Sequence, residues 1–323
     1  MLLGWRLSTT NINNTIRIDG KTYELKQWIT YRDDNPPPTP TPIPTPTPTP
    51  TPSKDVDQFG VKMLYNSKPN GESWFLDVNK LCANADPQVK YSNSLKTTDL
   101  KNLGDGSVKV TKTVDAENRF NILTTAGYDH NKCILDWKQL IARGYMQAPN
   151  DWRNVEITSY CRINKVFVSS GHSLVHYARG GHHSPSYPCE GSSYKGNIQY
   201  SGDSRFQREV GHPNYAYSKS KATPLSGGQL FGRWFGYKFC LYDLKDGTVK
   251  LENWLDLAQD NNWIKIDEYV DKGAWIPTRV SPCVDSSHQD QLIIWGGPQA
   301  CFRFDSAKDI DFKKLSVREI QVV

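Results

Sequence analysis

The run NPPPTPTPIPTPTPTPTPS, Asn35 to Ser53, decides how the rest of this chain can fold. It holds ten of the chain's twenty prolines, almost strictly alternating with threonine. Proline lacks an N–H and fixes φ, so the run can build neither a sheet ladder nor an α-helix. It reads as a polyproline-II spacer, holding its ends on the order of 50 Å apart. The 323 residues therefore divide into a segment 1–34, a spacer 35–53 and a body 54–323. Residues 1–34 are too few for an independent core. Within them TIRIDGKTYELKQWITY predicts a hairpin turning at Asp19-Gly20. That piece fits an anchor, an oligomerisation strand or the remnant of another module. The spacer's threonines could carry O-glycans in a secreted setting.

The body alternates apolar and polar residues over short runs: GSVKVTKTV, RFNILTTAG, NVEITSYCRI, SLVHYARGG, YKGNIQY, RFQREV, WFGYKFCLYD, TVKLENWLD and QLIIWGG. Period-two alternation between turn residues predicts strands. One run differs: NKCILDWKQLIARGY places Ile134, Trp137 and Ile141 on one helical stripe, with Gly144 as its stop. Many short strands with one or two short helices predict an all-β antiparallel sandwich, with a jelly roll as the leading version.

A net charge of +5 on 323 residues is too diffuse for a nucleic-acid partner, yet allows a local groove for an acidic polymer. No run is long enough for a transmembrane helix. The opening MLLGWRLSTTNINNT has no signal-peptide pattern. The expected setting is extracellular, or on a surface or particle. Seven cysteines contain no C-x-x-C pair, which argues against a zinc ribbon. Cys161, Cys240 and Cys301 lie in apolar runs and are expected to be buried thiols. Cys189 and Cys283, both in Pro- and Gly-rich loops, form the candidate disulfide.

The chemistry concentrates in HYARGGHHSPSYPCEGSSYKG and the strands after it. Alternation puts Val175, Tyr177 and Arg179 on one face and sets Tyr194 against Lys195. The next run opposes Arg205, Gln207 and Glu209 to Phe206 and Arg208, with His212 and Tyr215 in the loop beyond. Lys238 follows, then Lys250, Glu252 and Trp254 on a common face. Such a set suits β-elimination on a uronate polymer. Cations neutralise the carboxylate and so acidify the neighbouring C5 proton, a base removes it, and an acid protonates the leaving oxygen. Arg179, Lys195 and Arg208 are the candidates to neutralise carboxylates. Tyr177, His182, Tyr194 and His212 are the candidates to move protons. Arg205, Gln207, Arg208, Glu209, Lys238, Glu252 and Trp254 are expected to bind substrate. The same cations would equally pair with Glu190 or Glu209 on a solvated sheet face, and His182-His183 suits a plain surface loop.

Hydrolysis needs two carboxylates flanking one bond. Glu252 with Asp256 in ENWLD is the nearest approach, since Glu209 stands alone in its strand. No cofactor is required for elimination. Asp305, Asp309 and Asp311 offer oxygen ligands for a structural Ca²⁺, outside any EF-hand pattern.

The segments NDWRNVEITSYCRI, YARGGHH, CEGSSYKG, WFGYKFCLYD, VKLENWLD and WGGPQACFRFDSAKDIDFKKLSVREI resemble, in order and spacing, the concanavalin-like jelly-roll proteins. That group includes alginate and glucuronan lyases, and the likeness spans roughly residues 57–321. It implies two curved antiparallel sheets with a substrate groove on the concave face. Alginate lyases of this fold carry R-[ST]-E-[LV]-R, Q-[IV]-H and Y-F-K-A-G motifs. Here LVH, Leu174 to His176, has Leu in place of Gln, RFQRE echoes the Arg-rich strand, and GYKFCLYD keeps Tyr and Lys at another spacing. The catalytic positions do not carry over residue by residue. Four readings stay open: a lyase for an acidic polysaccharide, a non-catalytic carbohydrate-binding module, a glycoside hydrolase, and a structural or attachment protein held through residues 1–34.

Overall fold

The computed structural model of the chain describes residues 55–129, 138, 147–148, 150–181, 188–275, 277 and 290–322, together with 15–18 and 21–24. It divides at Thr51/Pro52 into two units. In the first, β1 (Thr15–Ile18) pairs antiparallel with β2 (Lys21–Glu24), and the register closes at Ile18 opposite Lys21. The proline spacer, His182, His183, Cys283 and the predicted helix with Ile134, Trp137 and Ile141 lie outside the described residues.

The second unit is an antiparallel β-sandwich of the jelly-roll kind. One sheet is seven-stranded, in the order β12 (Tyr215–Tyr217), β11 (Ser204–Glu209), β10 (Ser193–Gln199), β9 (Ser173–Gly180), β16 (Gln299–Phe304), β7 (Arg119–Leu123), β4 (Val89–Tyr91). The other is eight-stranded: β15 (Ile264–Asp271), β14 (Val249–Asp256), β13 (Phe235–Asp243), β8 (Val155–Val166), β17 (Ala307–Glu319), β6 (Ser107–Thr111) and β5 (Leu100–Asn102), with β3 (Ser73–Phe75) also on β17. Every pairing between these strands is antiparallel. The short helix α1 (Val78–Cys82) is capped by the Asp77 carboxylate, which accepts from the N–H groups of Asn79 and Lys80.

Alternation builds the core. Leu174, Ala178, Ile198, Phe206, Phe302 and Phe304 face Ile157, Cys161, Phe235, Phe239, Leu251 and Phe312 across the sandwich, all buried. Gly196 is required there, because a Cβ would stand 2.5 Å from the Phe239 ring and 2.6 Å from the Tyr237 hydroxyl. QLIIWGG departs from its expectation: it is not a strand, although Ile293 and Trp295 are buried. Its backbone is served by side chains instead. Arg179 donates to the Ile293 carbonyl at 2.6 Å, and the Ile293 N–H donates to the Tyr194 hydroxyl at 3.3 Å.

Candidate functional site

Cross-strand register lays out the outer face of the seven-stranded sheet in two rows. One runs Tyr217, Gln207, Lys195, Tyr177, Cys301, Asn121. The next runs Arg205, Asn197, Val175, Arg303, Arg119. Each residue is directly opposite its neighbour, so the rows share a face by strand geometry.

On the first row Lys195 is almost fully buried, and its Nζ donates to Glu209 Oε2 at 2.6 Å. It also sits 5.6 Å from the ring centres of both Tyr177 and Tyr215. Burial pushes the ammonium below its usual range against the pull of Glu209, with Arg303 and Arg119 adding to the push. Glu209 reaches the other way, its Oε1 lying 2.9 Å from His212 Nδ1. The Tyr215 hydroxyl is 3.1 Å from the same nitrogen. Burial raises the Tyr215 phenol above its normal range, and Glu209 adds to the effect. Lys195, Glu209, His212 and Tyr215 thus form one connected network.

Beside it the second row opens into a pocket of about 210 Å³, lined by Asn197, Arg205, Gln207, Tyr215, Tyr217 and Arg303 among others. Arg303 is held by Asp305, with Nε donating at 2.5 Å, and by Glu117 at 3.3 Å. Arg205 differs. Its guanidinium lies 4.6 Å from the centre of the Tyr217 ring and makes no salt bridge or side-chain hydrogen bond with the described residues; its buried Nε has no partner there. Burial lowers its pKa, as it does for a cation without a counter-charge.

Several residues expected at one site are placed elsewhere. Arg179 leaves the face of Tyr177 because β9 bulges: its φ is +72°, and the register with β16 shifts between Gln299 and Cys301. Its guanidinium is buried, donating to Asp243 Oδ1 at 2.7 Å and to the Arg153 and Ile293 carbonyls. Tyr194 and Arg208 point between the sheets and meet on one oxygen of Asp271, at 2.7 and 2.9 Å. These three residues tie the sandwich together. His176 of the LVH run is also internal, stacked on Tyr237 at 4.3 Å and bonded to Ser159 at 3.0 Å. Burial drives its pKa down to about 3.

Lys238, Glu252 and Trp254 lie on the outer face of the eight-stranded sheet, remote from Lys195. Lys238 is buried and donates to Glu156 Oε1 at 2.5 Å and to Thr158 at 2.9 Å. Glu252 accepts from the Tyr65 hydroxyl at 2.7 Å and from the Trp254 indole at 3.1 Å. Asp256 accepts from the Tyr160 hydroxyl at 2.7 Å. Glu252 and Asp256, the nearest approach to a carboxylate pair, are thus both engaged by tyrosine hydroxyls, and Glu209 lies on the other sheet. The three aspartates offered for Ca²⁺ do not converge either. Asp305 pairs with Arg303 at the pocket, whereas Asp309 and Asp311 pair with Lys109, and Asp311 also with Arg162, on the other sheet. Among the described residues no group of three or more His, Cys, Asp or Glu side chains is placed to hold a metal ion.

Cys161, Cys240 and Cys301 are buried free thiols, and Cys189 is disulfide-bonded. The expected partner of Cys189, Cys283, lies outside the described residues. Sequence reasoning missed Asn197, Arg303, Arg119, Asn121 and Gln299 as members of the face. The signal was there in alternation: QACFRF sends Gln299, Cys301 and Arg303 outward, and RFNIL does the same for Arg119 and Asn121.

No protein family matches the chain, and no curated protein sequence does. Among solved structures, it is similar to the exoplasmic/lumenal domain of VIP36 in its Ca²⁺/Man3GlcNAc-bound form, at 10% identity and a TM-score of 0.39, covering 73% of this chain and 85% of that one. It is similar to alginate lyase Aly36B at 12% identity and a TM-score of 0.38, covering 80% and 98%. It is likewise similar to the endo-β-1,4-glucuronan lyase of the fungus Trichoderma reesei at 11% identity and a TM-score of 0.34, covering 79% and 93%.

Proposed function

We propose that this chain holds a uronate-containing polysaccharide on the outer face of its seven-stranded sheet and cleaves it by β-elimination. The observation that carries the reading is Arg205, a partly buried cation stacked on Tyr217 in an open polar pocket, with no acidic partner among the described residues. Desolvating a guanidinium without a counter-ion is costly, and a bound carboxylate would offset that cost.

In this reading Arg205, with the Asn197 and Gln207 amides beside it, neutralises the uronate carboxylate and so acidifies the C5 proton. With Glu209 ionised, His212 Nδ1–H donates to it, and Nε2 becomes the basic nitrogen. His212 takes the C5 proton, the electron pair forms the C4–C5 double bond, and the C4–O bond breaks. The Tyr215 hydroxyl, kept protonated by its raised pKa, supplies the proton to the leaving oxygen. Lys195 holds Glu209 in place, and no cofactor is called for. The disulfide at Cys189 favours an oxidising, extracellular or surface setting.

A second reading is carbohydrate binding without cleavage, favoured by how fully Lys195, Glu209 and Tyr177 are buried and packed. The test uses the full chain with alginate, glucuronan, polygalacturonate and a neutral glucan. Ultraviolet absorbance of the C4–C5 double bond is followed beside a reducing-end assay. Both signals should rise on an acidic polymer, and Arg205→Gln should lower kcat/KM about 100-fold. Retention on an insoluble acidic polymer with both signals flat would leave binding alone. Reducing ends without absorbance would make the reaction a hydrolysis and overturn elimination.

A further inference from the structure

β12 and β15 are the edge strands on the same side of the sandwich, and a second pocket of about 610 Å³ opens between them. Three aromatic side chains line it, Tyr217 from β12, Tyr269 from β15, and Trp275 just beyond, the last two with ring centres 4.4 Å apart. The carboxylates of Asp267 and Glu268 line it too, Glu268 being matched by Lys250 and Lys265. Lys219 and Lys221 border it. Lys221 lies 3.7 Å from Asp267, and Lys219 forms no ion pair among the described residues. Tyr217 also lines the pocket that contains Arg205, so one ring is common to both cavities.

We propose that this edge pocket is a second carbohydrate subsite, taking further sugar units of the same acidic polysaccharide as it passes over Tyr217. The inference rests on the reading of the Arg205 pocket given above. Aromatic walls suit the apolar faces of pyranose rings, and Lys219 suits a carboxylate on their rim. At about 610 Å³ the pocket is well above the volume of the first, room for more than one sugar unit. The shared tyrosine makes the path continuous, so the occupant of one cavity extends into the other.

The subsite should be read by chain length. Binding of the full chain to oligoglucuronates and oligoalginates of two and of six units is measured by calorimetry, every protein carrying His212→Ala so that the oligomers stay uncut, for the parent protein, Tyr269→Ala, Lys219→Glu and Arg205→Gln. Tyr269→Ala and Lys219→Glu should each weaken the hexamer about tenfold and leave the dimer unchanged, whereas Arg205→Gln weakens both lengths. Lys219 is on the surface, so that variant tests the pocket even if Tyr269→Ala disturbs the packing against Trp275. Equal affinity of parent and Lys219→Glu for the hexamer, with Arg205→Gln still impaired, would overturn the second subsite and spare the first. Failure of the parent to bind either length would overturn both.

Discussion

The outer faces of the two sheets carry much the same residue types, and on both most buried cations are matched by acids. On the eight-stranded sheet several cations have a fixed acid, although Lys313, 4.4 Å from the centre of the Trp234 ring, makes no ion pair among the described residues. Lys238 and Arg318 share Glu156, Lys250 and Lys265 share Glu268, and Lys109 and Arg162 share Asp311. The segment that follows the spacer lies across this face. The N–H groups of Leu64 and Tyr65 donate to Glu156 Oε2, and Val61 packs with Tyr160 and Trp263. On the seven-stranded sheet Lys195 and Arg303 are matched in the same manner, but Arg205 faces an open pocket with an aromatic ring for company. Residue type therefore does not separate the two faces. What distinguishes Arg205 from Lys238 is that no described acid supplies its counter-charge and that it borders an open pocket.

The comparison breaks hardest at Lys238. Lys238→Ala takes one of two cations from the buried Glu156, leaving Arg318 and two backbone N–H groups, and should cost about 3–5 kcal/mol in urea denaturation. Lys195→Ala should cost a similar amount, since it removes the cation that faces the buried Glu209 carboxylate at 2.6 Å. Lost turnover in that variant would then report lost structure, and a cold-stable, folded Lys195→Ala without activity would move Lys195 from scaffold to chemistry.

A second break lies between the sheets, at His176. Its folded pKa of about 3 is below the usual value of 6.5, so the unfolded chain binds the proton first. Stability is fully present above pH 6.5 and is lost as the pH falls toward 3. By pH 4 the loss should be roughly 3 kcal/mol, at about 1.4 kcal/mol per pH unit. Urea midpoints at pH 7 and pH 4 should differ more for the parent than for His176→Gln; identical differences would show that His176 carries none of the slope.

The smallest expected change sharpens the contrast from the other side. Arg205→Gln removes a cation that no described acid needs, so its unfolding midpoint should stay within about 0.5 kcal/mol of the parent. A large destabilisation would mean that Arg205 is as structural as Lys238.

Much of the architecture was legible before the structure. NVEITSYCRI, YKGNIQY and VKLENWLD alternate with period two and are β8, β10 and β14, although Tyr194, expected at the groove, faces inward. α1 escaped notice because five residues give no periodic stripe. At the site, the face of Arg205, Gln207 and Glu209 followed from RFQRE alone. Arg179 did not follow, because one residue at positive φ reverses the alternation after it. Lys238 and Glu252 were misplaced for another reason: alternation says which side of a strand a residue occupies, and says nothing of which sheet the strand joins.

The sequence by itself determined the all-β sandwich and which residues of most strands share a side, and it predicts a spacer at the proline run. These depend on local properties: missing N–H groups, pleat period and turn chemistry. The tertiary structure alone decided which cations are neutralised. Arg179 meets Asp243 from 64 positions away, Arg208 meets Asp271 from 63, and Lys238 meets Glu156 from 82. Such partners are set by how the two sheets pack, and electrostatic matching acts through space at a few ångströms rather than along the chain. Arg205 stands out only after those pairs have been made.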